Sequence, residues 1–319
     1  MSLSAAALLA LGAPAFARSG PVVIYTAHKS SIVDELLPVF EKETGLKAEV
    51  VKLGSGDIAR RARAEAGAPA ADVIWSISGG QLNELAEILA PYAPRDADSI
   101  DPQFGRHEAW TPYTAVVYVL AVNTDELSLD EAPKSWEALR DPKWKGQVAS
   151  ARADGSGSAM QQLQTVLSVY GDAGWDVYKE IAANFVFTNS SGAVPRFVAD
   201  AETSMGLTLE DNALEYVHGG APMGIVHLTD GTAITPDGVA LVKGGPNPEG
   251  GKAFIDWALS KDTQERLARD IGRRSVRTDV AGPPGTPDLA DLNVVAVKEL
   301  NELGGAEEVL ARWRAAIGE

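Results

Sequence analysis

The residues best suited to hold a ligand lie where glycine and serine open helices. Ser156-Gly157-Ser158-Ala159 places two hydroxyls and a glycine at a helix start. Unpaired backbone N–H groups, the positive end of the helix dipole and both side chains then converge on one point, which suits an anionic oxygen. The plainer reading is a serine N-cap with glycine easing the turn. Thr188-Asn189-Ser190-Ser191-Gly192 also precedes a helix, and Asn189 with Ser190 offers a second donor set or else an ordinary capped loop. Ser55-Gly56 and Ser76, Ser78, Gly79 are comparable openings, each equally readable as a common Gly/Ser turn.

Thr208 is followed closely by Glu210 and Asp211. Carboxylates facing an anion repel it unless they accept hydrogen bonds from ligand hydroxyls or pair with a ligand ammonium group. The capping preference of aspartate assigns Asp211 to the helix start and leaves Glu210 to the ligand. His28 can donate to a phosphoryl oxygen or cap its own turn. Tyr25 and Trp75 could stack on a sugar face, although strand aromatics are more often core.

Catalytic machinery is not legible. Gly155-Ser156-Gly157-Ser158-Ala159 lacks the second glycine of a nucleophile elbow and follows no clean strand. No HExxH, Walker or dinucleotide fingerprint occurs. The histidines His28, His107, His218 and His227 are scattered, with no pair at metal-ligand spacing. The expectation is a binder rather than an enzyme, with no catalytic residue, metal or cofactor. A hydrolase remains the distant alternative, and turnover of a phosphate ester would reveal it.

The elements that carry these residues alternate. Val22 to Thr26 reads as a buried strand, Ser31 as the cap of a helix ending at Gly45, Lys47 to Leu53 and Asp72 to Ile77 as strands, and Asp57 to Ala66 as a helix. That βαβαβ order implies a parallel sheet with right-handed crossovers, and ligands of open α/β sheets sit beyond the strand C-termini. The apolar run 113–123 reads as a strand leaving the first lobe for a second. There Ala159 to Tyr170, Ala173 to Asn184 and Val194 to Ala199 are expected helices, and Met205 to Leu209 and Met223 to Leu228 expected strands. Val239 to Val242 reads as a strand, Glu249 to Ser260 as a helix with Pro248 at its first turn, and Ala290 to Ala316 as a helical tail.

At 319 residues the chain exceeds one ordinary core. Its formal charge of −16 argues against nucleic-acid or anionic-membrane partners, so any anionic ligand must be won locally. Cysteine is absent, which removes disulfides, thiolate metal sites and a lipid-attachment cysteine. Ala5 to Leu11 is an Ala/Leu run, followed by Ala15-Phe16-Ala17 with the small-x-small pattern of a signal-peptidase site. Residues 1–17 therefore read as an export signal, truncated because Met1-Ser2-Leu3 carries no basic residue.

Four stretches resemble the periplasmic ferric-ion, sugar-phosphate and phosphonate binding proteins, within the type II solute-binding proteins of ABC importers. They are Val22 to Lys29 with its His-Lys turn, Ser135-Trp136-Glu137-Ala138-Leu139 with Asp141 to Gly146, the Ser156-Gly157-Ser158 loop, and Lys243 to Trp257 with its Pro-Asn-Pro helix. The resemblance implies two discontinuous α/β lobes joined by crossing hinge strands, with the ligand in the cleft: residues 21–116 with 237–280, and 117–236 with 281–319. It further implies hinge closure, a monomer, a periplasmic location and an ABC permease partner in the inner membrane. It places a phosphate or phosphonate group at Ser156-Gly157-Ser158. Ferric members use a tyrosine pair, a histidine and a carboxylate; here the segment resembling the pair reads Gly206 to Asp211 without tyrosine. Iron needs several hard anionic donors together, so a sugar phosphate or organophosphonate is favoured over ferric iron.

Overall fold

Short β-branched runs and amphipathic helices alternate from the start of the computed structural model, which describes residues 20–319. The expected export signal, residues 1–17, lies outside the described residues. β1 (Val22–Thr26), α1 (Ser30–Thr44), β2 (Ala48–Lys52), α2 (Ser55–Ala64), β3 (Val73–Ser78) and α3 (Gly79–Glu84) follow one another. β2, β1 and β3 pair in parallel. α1 buries Ile32, Val33, Leu36 and Phe40 on one face and ends at Gly45, whose φ of 72° few other residues tolerate. It starts at Ser30 with Lys29 in the capping position and no side-chain cap, rather than being capped by Ser31.

β4 (Leu89–Ala90) is brief, and β5 (Thr111–Asn123) is buried along its whole length. β6 (Val148–Ala151), α4 (Gly157–Tyr170), α5 (Gly174–Ala182), β7 (Phe185–Thr188), α6 (Val194–Ala199), β8 (Met205–Leu209), α7 (Glu210–His218) and β9 (Met223–Val226) build a second lobe. β10 (Ile234–Val242) returns, followed by α8 (Pro248–Ala258), α9 (Lys261–Arg266), β11 (Arg274–Ser275) and α10 (Ala306–Ala316). The strand order is β2-β1-β3-β10-β5-β8-β6-β7.

β5 joins the lobes because its partners change along its length. Thr111 to Val117 pair antiparallel with β10, whereas Tyr118 to Val122 pair with β8. One core gathers Val22, Ile24, Leu36, Phe40, Val73, Trp75, Phe254 and Trp257. Another gathers Leu120, Leu163, Val166, Ile181, Met205 and Leu207 with Val309 and Trp313 of α10. The Trp313 indole donates to the Tyr178 hydroxyl at 3.1 Å, tying the tail to the second lobe.

Two further expectations need correction. β10 starts at Ile234 rather than Val239, with register shifts around Gly238. A side chain there would place its Cβ 2.3 Å from Leu82 and 2.5 Å from Trp110, so only glycine fits. The tail is α-helical only from Ala306, after single 3-10 turns at Leu289–Asp291 and Leu300–Leu303. Upstream, Val294 bridges Thr232 as extended chain, and Gly304 and Gly305 adopt φ values of 100° and 97° that break a helix.

Candidate functional site

β1, β2, β6 and β8 each run into the start of a helix: α1, α2, α4 and α7. First-turn amides have no partner in their own helix, so each opening presents donors. Ser156 is the N-cap of α4, its hydroxyl accepting from the Ala159 amide at 3.3 Å. Gly157 is exposed and Ser158 half-buried beside it. Gln162, in the second turn of α4, donates to the Thr208 carbonyl at 3.5 Å, and the Thr208 hydroxyl donates to the Ser191 carbonyl at 2.8 Å. The second lobe thus gathers the α4 start, Thr208 and the Asn189-Ser190 loop, whose side chains are exposed.

Across from these, the first lobe brings up His28, Ser76 and Lys29. Lys29 donates to the Asp211 carbonyl at 3.2 Å and to Glu215 at 2.7 Å, so the start of α1 meets the start of α7. Ser76 has a φ of 60°, a left-handed value that costs a non-glycine residue energy, and its hydroxyl donates to Asp237 at 2.6 Å. Ser78 caps α3 by accepting from the Gln81 amide, and Ser55 opens α2, half-buried. Neither bonds to a second-lobe residue. Trp75 and Tyr25 are fully buried: Trp75 packs edge-on against His28 and Phe254, and Tyr25 donates to Glu65.

The sequence reading missed the cations that order this floor. Arg273 donates to Asp211 at 3.1 Å, to Asp237 at 2.5 Å and to the Thr114 hydroxyl at 3.1 Å. Arg274, next in line, grips Glu210 through two bonds of 2.5 and 3.0 Å, and His227 lies 2.7 Å from the same carboxylate. Asp211 is therefore not a cap. α7 begins one residue earlier, at Glu210, with no side-chain cap, because Arg273 and Lys29 claim the Asp211 carboxylate.

The electrostatics follow from burial and pairing. Burial alone would raise the carboxyls of Asp211 and Glu210. Arg273 and Lys29 overcome it for Asp211, and His227 with Arg274 for Glu210, so both stay below the usual carboxylate range. Burial, reinforced by the charges of Arg273 and Lys29, holds His28 well below its ordinary 6.5, so its ring is neutral. Among the described residues, no cluster of three or more His, Asp or Glu is arranged to hold a metal ion. No helix among them is long and apolar enough to cross a membrane.

Comparison with known proteins gives a consistent picture. A family model described as bacterial extracellular solute-binding protein matches residues 22–270. An uncharacterised protein of Haemophilus influenzae is 32% identical over 274 residues, 82% of this chain and 78% of that protein. The Fe(3+)-binding periplasmic protein of Serratia marcescens is 25% identical over 311 residues, 92% of this chain and 90% of that protein. Among solved structures, the periplasmic binding protein AfuA of Actinobacillus pleuropneumoniae, with exogenous fructose-6-phosphate bound, superposes with a TM-score of 0.83. It is 27% identical, over 93% of this chain and 98% of that one.

Proposed function

The chain belongs to the bacterial extracellular solute-binding protein family, and from that membership we propose that it is the periplasmic substrate-binding component of an ABC importer. Its ligand is a small phosphorylated or phosphonate anion, a sugar phosphate before others, which it captures between two lobes and releases unchanged to an inner-membrane permease. It acts as a monomer. The lobes comprise residues 21–116 with 237–280 and residues 117–236 with 281–319, a division supported by the change of β5 partners after Val117.

The observation that carries this reading is the meeting of helix starts. Lys29, just before α1, reaches the first turn of α7, and α4 opens in the same lobe as α7. Each such terminus favours an anion by about 0.3–1 kcal/mol, more when partly buried. Ser156, Gly157 and Ser158 receive the phosphoryl group, with Asn189, Ser190 and Thr208 beside it, and His28, Ser55, Ser76 and Ser78 facing from the first lobe. Glu210 and Asp211 edge the site with their charges already neutralised by arginine. The likeness to AfuA with its sugar phosphate supports the ligand class.

Calorimetric titration with fructose 6-phosphate, an organophosphonate and inorganic phosphate tests the reading. Heat from a phosphate ester is expected, and silence from all three would refute it. The similarity to an Fe(3+)-binding protein supplies the rival, which predicts a visible charge-transfer band on adding ferric salts. A colourless protein dismisses the rival.

A further inference from the structure

We propose that Arg273 is the specificity-determining residue of the cleft: its guanidinium fills the gap between two carboxylates in which a metal cation would otherwise be held. The inference rests on the solute-binding reading above and concerns why this floor takes anions rather than metal ions.

Asp211 opens α7 in one lobe, and Asp237 lies on β10 where it re-enters the other. Both aim a carboxylate oxygen at the same guanidinium, one at each terminal nitrogen. The third side of the fork is fixed by Thr114, and Asp237 is fixed in turn by Ser76. Arg273 is 5% exposed and Asp211 6%, so water screens the pair little. A buried carboxylate, Asp211, and a half-buried one, Asp237, converging from separate elements with the Thr114 and Ser76 hydroxyls beside them would suit a hard cation. Here that charge is supplied by the chain itself, in a form that cannot lose its proton.

Displacing the guanidinium would strand a buried positive charge, so a metal ion gains nothing by entering. Arg274 does the same for Glu210, but among the described residues only Arg273 bridges carboxylates of both halves. His28 stands beside this charge, and its burial, reinforced by Arg273 and Lys29, keeps its ring neutral. One architecture is shared by an Fe(3+)-binding relative and by a structure holding a sugar phosphate. A fixed internal cation is a physical means of passing from one ligand class to the other.

The test compares the wild-type protein with Arg273→Gln and Arg273→Lys. Each is titrated with terbium(III), read by luminescence, with ferric citrate, read by absorbance, and with fructose 6-phosphate, read by calorimetry. The wild type and the lysine variant should take up neither metal, whereas the glutamine variant should bind terbium at least about tenfold more tightly, because two uncompensated carboxylates seek a cation. A folded glutamine variant without that gain overturns the proposal, as does equal metal uptake by the lysine variant. Should the glutamine variant fail to fold, the wild-type arm still decides: metal uptake that Asp211→Asn abolishes would overturn it. Absence of heat from fructose 6-phosphate in the wild type would sink the proposed ligand class alone, since the metal arms are read separately.

Discussion

Ser156 already spends its hydroxyl as an acceptor from Ala159, leaving its proton and the neighbouring amides for a ligand. Replacing Ser156 and Ser158 together with alanine should weaken phosphate-ester binding by about 3 kcal/mol, roughly a hundredfold in Kd by calorimetry; unchanged affinity would move the anion site elsewhere. Glu210→Gln leaves Arg274 buried without its counter-charge and should cost about 3–5 kcal/mol in urea unfolding. A loss near zero would show that the pair is dispensable. The titrating groups give stability one direction with pH. The folded state keeps His28 well below 6.5, so the unfolded chain binds the extra proton and stability declines as pH falls through that value. Glu210 and Asp211, held below their ordinary 4.5 and 3.8, add stability that is full above those values and disappears as acid protonates the folded carboxylates. Urea midpoints should therefore drop between neutral pH and about pH 5, and His28→Asn should flatten that upper step; a flat wild-type profile would contradict the buried neutral ring. The Ser156 cap of α4 was legible in the sequence because caps have a local signature, whereas Glu210, expected to bind the ligand, is already paired with Arg274 and His227. Arg273 and Arg274 were not legible: a basic pair after a helix reads as ordinary complement to the dipole, and only folding brings it to the start of α7.

β1 to α3 were readable because each element has its own period, two for strands and 3.6 for helices, with glycine at the stops. β10 was half hidden because Pro236, Asp237 and Gly238 have the composition of a turn. The strand survives there through register shifts beside the strained Ser76. Those irregularities lie where β10 faces both β3 and β5, and the packing leaves no room for a methyl group. Gly238→Ala should destabilise the fold by about 1–3 kcal/mol in denaturant titrations with the slope unchanged; a neutral substitution would mean that Leu82 and Trp110 yield easily. The tail from Ala290 was misread for the opposite reason. Its apolar residues suit a helix, but an extended bridge to Thr232 and the glycines at 304 and 305 hold that stretch in place.

At the scale of the whole molecule, ligand capture by closure requires the lobes to change their separation about β5 and β10. Small-angle scattering should show the radius of gyration shrinking by about 1 Å when fructose 6-phosphate is added. An unchanged curve in the presence of measurable binding heat would place the ligand in a preformed cleft. The two-lobed plan was legible from the order of elements, whereas the ionic contacts between the lobes arise from partners far apart in the chain and leave no trace in sequence. The position of β10 has a further consequence for how such a molecule comes into being. The strand that fills the middle of the first sheet, between β3 and β5, is synthesised only after the whole excursion from Tyr118 to Ala233. A chain emerging from the ribosome would carry β3 with an open edge throughout that interval, unable to finish its amino-terminal half first. If the chain is exported as proposed, such late completion would keep an early-forming globule from obstructing its passage through a membrane pore.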